Sequence, residues 1–96
     1  MNLSLNYEGF ETYLTETGNL FDGVYYRFKF ENGFGASVIK HGRSEGHEKD
    51  LWELGVLKYY DDDTCHLTYD TRIMSDIIGY LTDDDVKNIL EDIRNL

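Results

Sequence analysis

The chain has 96 residues, with nineteen Asp and Glu against nine Lys and Arg, and a formal net charge of −10. That length holds one domain, and that charge argues against direct nucleic-acid binding, which depends on Lys and Arg contacts to phosphate. Cys65 is the single cysteine, so no intrachain disulfide can form.

The charge is uneven: residues 1–50 sum to −3 and residues 51–96 to −7. An acidic field attracts basic surfaces and speeds encounter with them, so a basic protein is the expected kind of partner. Met1 to Leu14 has neither the basic start nor the apolar run of a secretion signal. No stretch reaches the roughly 20 apolar residues of a membrane span. With the lone cysteine, these features suggest a reducing, cytoplasmic setting and no membrane contact.

In chain order, residues 7–16 predict a short N-terminal helix. Asn6 stands as its N-cap, and Tyr7, Phe10, Tyr13 and Leu14 recur at helical spacing. Residues 24–30 alternate as a strand, with Val24, Tyr26, Phe28 and Phe30 inward and Tyr25, Arg27 and Lys29 outward. Asn32-Gly33 then signals a hairpin whose two central residues both accept positive φ. Phe34 to Lys40 returns with Phe34, Ala36 and Val38 inward, and the polar residues 41–50 predict a long loop.

Leu51 to Tyr60 predicts a third strand, with Trp52, Leu54 and Val56 inward. The run 61–64 predicts a turn, and Cys65 to Asp70 a fourth strand with Cys65, Leu67 and Tyr69 inward. Residues 71–81 bridge onward through a turn beginning at Ser75. Thr82 then caps a last helix, with Asp85 completing a capping box and Asp83 to Asp85 favoured by the helix dipole. Its stripe of Val86, Ile89, Leu90, Ile93 and Leu96 needs an apolar sheet face to cover. The expected fold is α+β: a four-stranded antiparallel meander flanked by a helix at each end, in the order α-β-β-β-β-α.

The residues that could carry chemistry are scattered. Zinc takes four ligands, commonly in close pairs, whereas His41 and His47 share a loop and Cys65 and His66 point to opposite faces of one strand. Asp61-Asp62-Asp63 and Asp83-Asp84-Asp85 lack the alternation, Gly and Glu of a calcium loop. Gly33-Phe34-Gly35 opens no helix, so it is not a phosphate loop. Neither Ser37 nor Ser44 sits in a nucleophile elbow. No metal, cofactor or enzymatic activity is expected.

Two surfaces remain. The outward sheet face carries Tyr25, Arg27, Lys29, Ser37, Ile39, Glu53, Leu57, Tyr59, His66 and Thr68, and Tyr and Arg are enriched at protein contacts. An acidic rim combines Tyr59, Tyr60, Asp61, Asp62 and Asp63 with Glu45, Glu48 and Asp50 of the long loop. Carboxylates so placed can imitate a phosphate backbone, so Tyr59 to Asp63 with Glu45 and Glu48 is the expected partner-binding site.

Five segments carry a resemblance: Tyr26-Arg27-Phe28, Asn32 through Val38, Leu51 through Leu57, Tyr69-Asp70-Thr71 and Ile77 through Thr82. Over residues 26–86 the chain resembles small uncharacterised proteins encoded by bacteriophages and prophages. The resemblance implies a phage origin and a host cytoplasm. Among small acidic phage proteins are inhibitors of host defence, anti-CRISPR proteins included. The expectation is an acidic inhibitor that blocks a host nucleic-acid-handling protein. The alternative is a structural or regulatory phage protein that forms a homodimer through the open sheet face.

Overall fold

The computed structural model describes residues 1–73 and 77–96, so the turn expected at Ser75 lies outside the described residues. The alternating segments form six strands: β1 (Leu14–Leu20), β2 (Gly23–Lys29), β3 (Phe34–Lys40), β4 (Trp52–Tyr59), β5 (Cys65–Leu67) and β6 (Ile78–Leu81). The helix α1 (Asp83–Arg94) follows them. β1 to β4 form an antiparallel meander. β5 and β6 then share the far edge of β4, β5 against Leu57 to Tyr59 and β6 against Trp52 and Leu54. The α+β class and antiparallel sheet match the expectation, but the described residues form six strands and not four.

The expected N-terminal helix is absent. Residues Glu11–Tyr13 make one 3-10 turn, and the chain from Leu14 is a strand paired with β2. Gly9, at φ +95°, interrupts any helical run there. Thr15 and Thr17 favour extended backbone, and each hydroxyl bonds a carbonyl of β2, Thr15 to Arg27 O and Thr17 to Tyr25 O. The apolar residues are still used. Tyr7 packs on Tyr26 and Phe28, and Tyr13 lies 4.9 Å from the Phe30 ring.

Register corrects a second expectation. Tyr59 pairs with Cys65 and Leu57 with Leu67, and Tyr59 and Leu57 belong to the outward face. Cys65 and Leu67 therefore turn outward too, because a one-residue change in parity moves every side chain of a strand to the other face. Leu67 is 45% exposed and Tyr69 44%, and pairing ends at Leu67 instead of Asp70. The β2–β3 hairpin forms as expected, but only Gly33 takes positive φ. The Asn32 side chain instead donates to Ile93 O at 2.8 Å, tying the hairpin to the end of α1.

The core fills the inner face. Phe28, Ala36, Val38 and Leu54 from the sheet and Val86, Leu90 and Ile93 from α1 are all fully shielded. Each large side chain among them contributes about 1.5–3 kcal/mol before entropy is counted. The capping box is complete, with Asp85 N–H donating to Thr82 Oγ1 at 3.1 Å and Thr82 N–H to Asp85 Oδ2 at 3.0 Å. Trp52 Nε1 donates to Asp83 Oδ1 at 2.8 Å, which joins β4 to the first turn of α1. Among the described residues, no helix is long and apolar enough to cross a membrane.

Candidate functional site

The acidic turn is built where β4 leaves the sheet. Tyr60 N–H donates to Thr64 O at 2.9 Å, closing the loop to β5. Asp61 Oδ1 accepts from the N–H groups of Asp63 at 2.9 Å and Thr64 at 2.7 Å. Those donors hold the Asp61 carboxyl below the usual carboxylate range. Asp62 stands 2.6 Å from the Lys29 ammonium with its side chain 95% exposed. Asp63 is exposed beside it. The three carboxylates thus differ in role: Asp61 shapes the turn, Asp62 meets a lysine across the sheet, and Asp63 faces solvent.

The two tyrosines diverge as strand geometry requires. Tyr60 is 66% exposed and meets the His66 ring edge-on at 5.4 Å. Tyr59 lies on the outward face over Gly35, where a β-carbon would come within 2.8 Å of its ring, and Lys29 Nζ sits 5.4 Å from the ring centroid. Its hydroxyl is shut from solvent and meets no hydrogen-bond partner among the described residues. Burial, reinforced by Cys65, raises its pKa. A shallow depression of about 270 Å³ beside the turn is lined in part by Lys29, Glu31, Tyr59, Tyr60 and Asp62.

Glu45 and Glu48 are elsewhere. They lie in the β3–β4 connection, before β4 begins, whereas Asp61 to Asp63 follow its end. An eight-residue strand rising about 3.3 Å per residue separates the two groups by roughly 23 Å. The expected partner site therefore divides between the two ends of the sheet.

The end that holds Glu45 and Glu48 has a character the sequence did not reveal. Among the described residues, the non-glycine positions with positive φ are Phe21 (54°), Asp50 (61°) and Tyr80 (59°). All three sit at this end. Bulky side chains rarely adopt that conformation, and such strain clusters at functional sites. Phe21 and Asp22 form the two-residue turn between β1 and β2, with Leu20 opposite Gly23. Phe21 is 83% exposed and touches His41 edge-on, 5.3 Å between centroids. Asp22 Oδ1 accepts from Gly42 N–H at 2.8 Å, which holds its carboxyl below the usual range. Phe21, Asp22, His41, Gly42 and Arg43 line a depression of about 350 Å³.

The connection 41–50, expected as a long loop, carries hydrogen bonds of its own. Ser44 N–H donates to His41 O, His47 N–H to Ser44 O, and both Lys49 and Leu51 N–H to Gly46 O. Ser44 and His41 are buried. At its far side Tyr80 OH donates to Glu48 Oε1 at 2.9 Å and Tyr80 N–H to Glu45 O at 3.4 Å. The Glu48 contact raises the Tyr80 pKa. The connection thus bridges from Asp22 to Tyr80. The one signal near Phe21 was the alternating run that begins at Val24 just after it; Tyr80 gave none, because its bulge arises from pairing with β4.

His41 and His47 belong to this connection, with His41 Nδ1 accepting from Arg43 N–H at 3.0 Å and His47 Nδ1 lying 2.6 Å from Ser44 O. Cys65 and His66 are on β5, which pairs with the opposite end of β4. Among the described residues, no three His, Cys, Asp or Glu side chains are grouped where they could hold a metal. No family model, curated protein or solved structure matches this chain.

Proposed function

We propose that this chain is a non-enzymatic binding protein, a phage-encoded inhibitor that blocks a basic, nucleic-acid-handling protein of a bacterial host, in the manner of anti-CRISPR proteins. The observation that carries the reading is the acidic turn. Asp62 and Asp63 face solvent beside a Tyr60 ring that is 66% exposed, on a chain of net charge −10. Carboxylates beside an exposed aromatic ring suit a basic cleft: the charges steer the encounter and the ring slows dissociation. The resemblance to phage proteins supports the setting in the host cytoplasm.

A second reading, self-association through the outward sheet face, is favoured by Leu67 and Ile77, which are 45% and 37% exposed. Salt distinguishes the two. Steered binding weakens as the Debye length shrinks below about 10 Å near 0.1 M salt, whereas apolar association does not. The test begins with affinity capture from host lysate and identification by mass spectrometry. Association rates are then measured for the chain and for its Asp61→Asn/Asp62→Asn/Asp63→Asn variant across a salt series. Asp61→Asn keeps a side-chain oxygen that accepts the turn's N–H bonds, so the melting temperature stays near that of the parent. The variant is expected to associate more slowly and with a flatter salt dependence. An unchanged rate at low salt would refute the acidic-turn reading.

A further inference from the structure

From the opposite end of the sheet we infer a second interaction surface, in which Phe21 is an aromatic anchor for a folded protein partner that presents an apolar cleft with a carboxylate at its rim. Folding does not account for Phe21. The ring is 83% exposed, and its backbone holds φ +54°, where a bulky side chain is disfavoured and Gly or Asn would be at ease. Burial of the ring in the domain therefore stabilises little, while its conformation opposes folding.

The surroundings brace the turn. A β-carbon at Gly23 would stand 1.8 Å from Lys40 O, so β2 and the end of β3 are in the closest approach that a glycine permits. Gly42 N–H grips Asp22 Oδ1 at 2.8 Å on the next residue. The His41 ring, itself buried, meets the edge of Phe21. An aromatic ring on a rigid, braced support loses little conformational freedom on binding.

Charge names the other half of the surface. Residues 32–44 contain no Asp or Glu but include Lys40, His41 and Arg43. Lys40 and His41 are buried, so the exposed charges that line the depression with Phe21 are the Arg43 guanidinium and the Asp22 carboxylate, the latter held by Gly42 N–H. A ring to fill an apolar cleft and a guanidinium to meet a carboxylate at its edge is a pairing common at protein interfaces. It differs from the acidic turn in place and in presenting an exposed guanidinium, and stands whether or not that turn binds a basic partner.

The experiment has two arms. In the first, melting temperatures are measured for Phe21→Gly and Phe21→Asn. Both are expected to equal or exceed the parent; a fall of more than about 5 °C in both would make Phe21 structural and overturn the inference. In the second, a photo-crosslinking phenylalanine analogue is placed at position 21 and the chain is irradiated in bacterial lysate. One protein adduct is expected, competed by excess unlabelled parent chain but at least tenfold less well by Phe21→Gly and by Arg43→Glu. Absence of an adduct, equal competition by Phe21→Gly, an adduct lost on nuclease treatment, or an adduct with a second copy of this chain would each overturn it. Competition by the Asp61→Asn/Asp62→Asn/Asp63→Asn variant reports separately on the acidic turn.

Discussion

Lys40 places its ammonium 4.1 Å from the centroid of the Trp52 ring, with the lysine side chain only 2% exposed. The cation is sealed by its partners. Nζ donates to Asn2 O at 2.8 Å, to Asp50 O at 2.9 Å and to Asp50 Oδ1 at 3.1 Å, and Asn2 N–H closes the ring on Asp50 Oδ1 at 2.7 Å. Lys40 occupies the inward position that follows Phe34, Ala36 and Val38. A buried charge is tolerated there because its donors are met by oxygen acceptors and its remaining face by an indole.

Replacing Lys40 with Ala removes the cation–π contact and three hydrogen bonds and leaves a space beside Trp52. The expected loss is about 2–4 kcal/mol. Urea denaturation followed by circular dichroism measures it. Trp52 is the only tryptophan, so a change in native-state fluorescence will show that the loss originates at this contact.

Acid should weaken the same cluster. The Asn2 N–H, followed by the Lys40 hydrogen bond, holds the Asp50 carboxyl below its ordinary value of 3.8. Because the folded state binds this proton less readily than the unfolded chain, the contribution is fully present above about pH 4. It is lost as pH falls through the depressed folded-state value. Asp50→Asn is expected to flatten the dependence of stability on pH below about 4. A slope identical to that of the parent chain would exclude Asp50 as its source.

Gly23→Ala should disrupt the β1–β2 hairpin, since the added β-carbon would meet Lys40 O at 1.8 Å and His41 Cα at 2.7 Å, both backbone atoms. The cost is expected to be at least about 3 kcal/mol. Hydrogen exchange should show the loss first at the amides of β1 and β2.

Two leucine-sized side chains that the sequence assigns alike will behave differently. Ile93 is fully buried under the sheet while Leu67 is 45% exposed. Ile93→Ala is expected to cost about 2–4 kcal/mol, and Leu67→Ala no more than about 0.5 kcal/mol. Chemical denaturation of the two variants side by side checks the contrast.

Local chemistry made much of this chain legible before folding. The capping box at Thr82 and Asp85, the stripe of α1, and the alternation through β2, β3 and β4 all depend on neighbours within a few residues, and each appears as read. The net charge and the exposed acidic turn likewise follow from composition and from a run of Asp that no strand could bury. Pairing was not legible in this way. Leu14 to Leu20 is a strand because β2 offers it an edge, not because of its own periodicity, which equally suited a helix. Leu67 faces outward because the length of the turn before it sets its register on β4. The conformations of Phe21, Asp50 and Tyr80, and the burial of Lys40 against Trp52, exist only once distant segments meet at one end of the sheet. Side-chain type determined which residues would be buried or charged; three-dimensional closure of the chain decided which edges paired, which faces stayed open, and where a strained backbone carries an exposed ring.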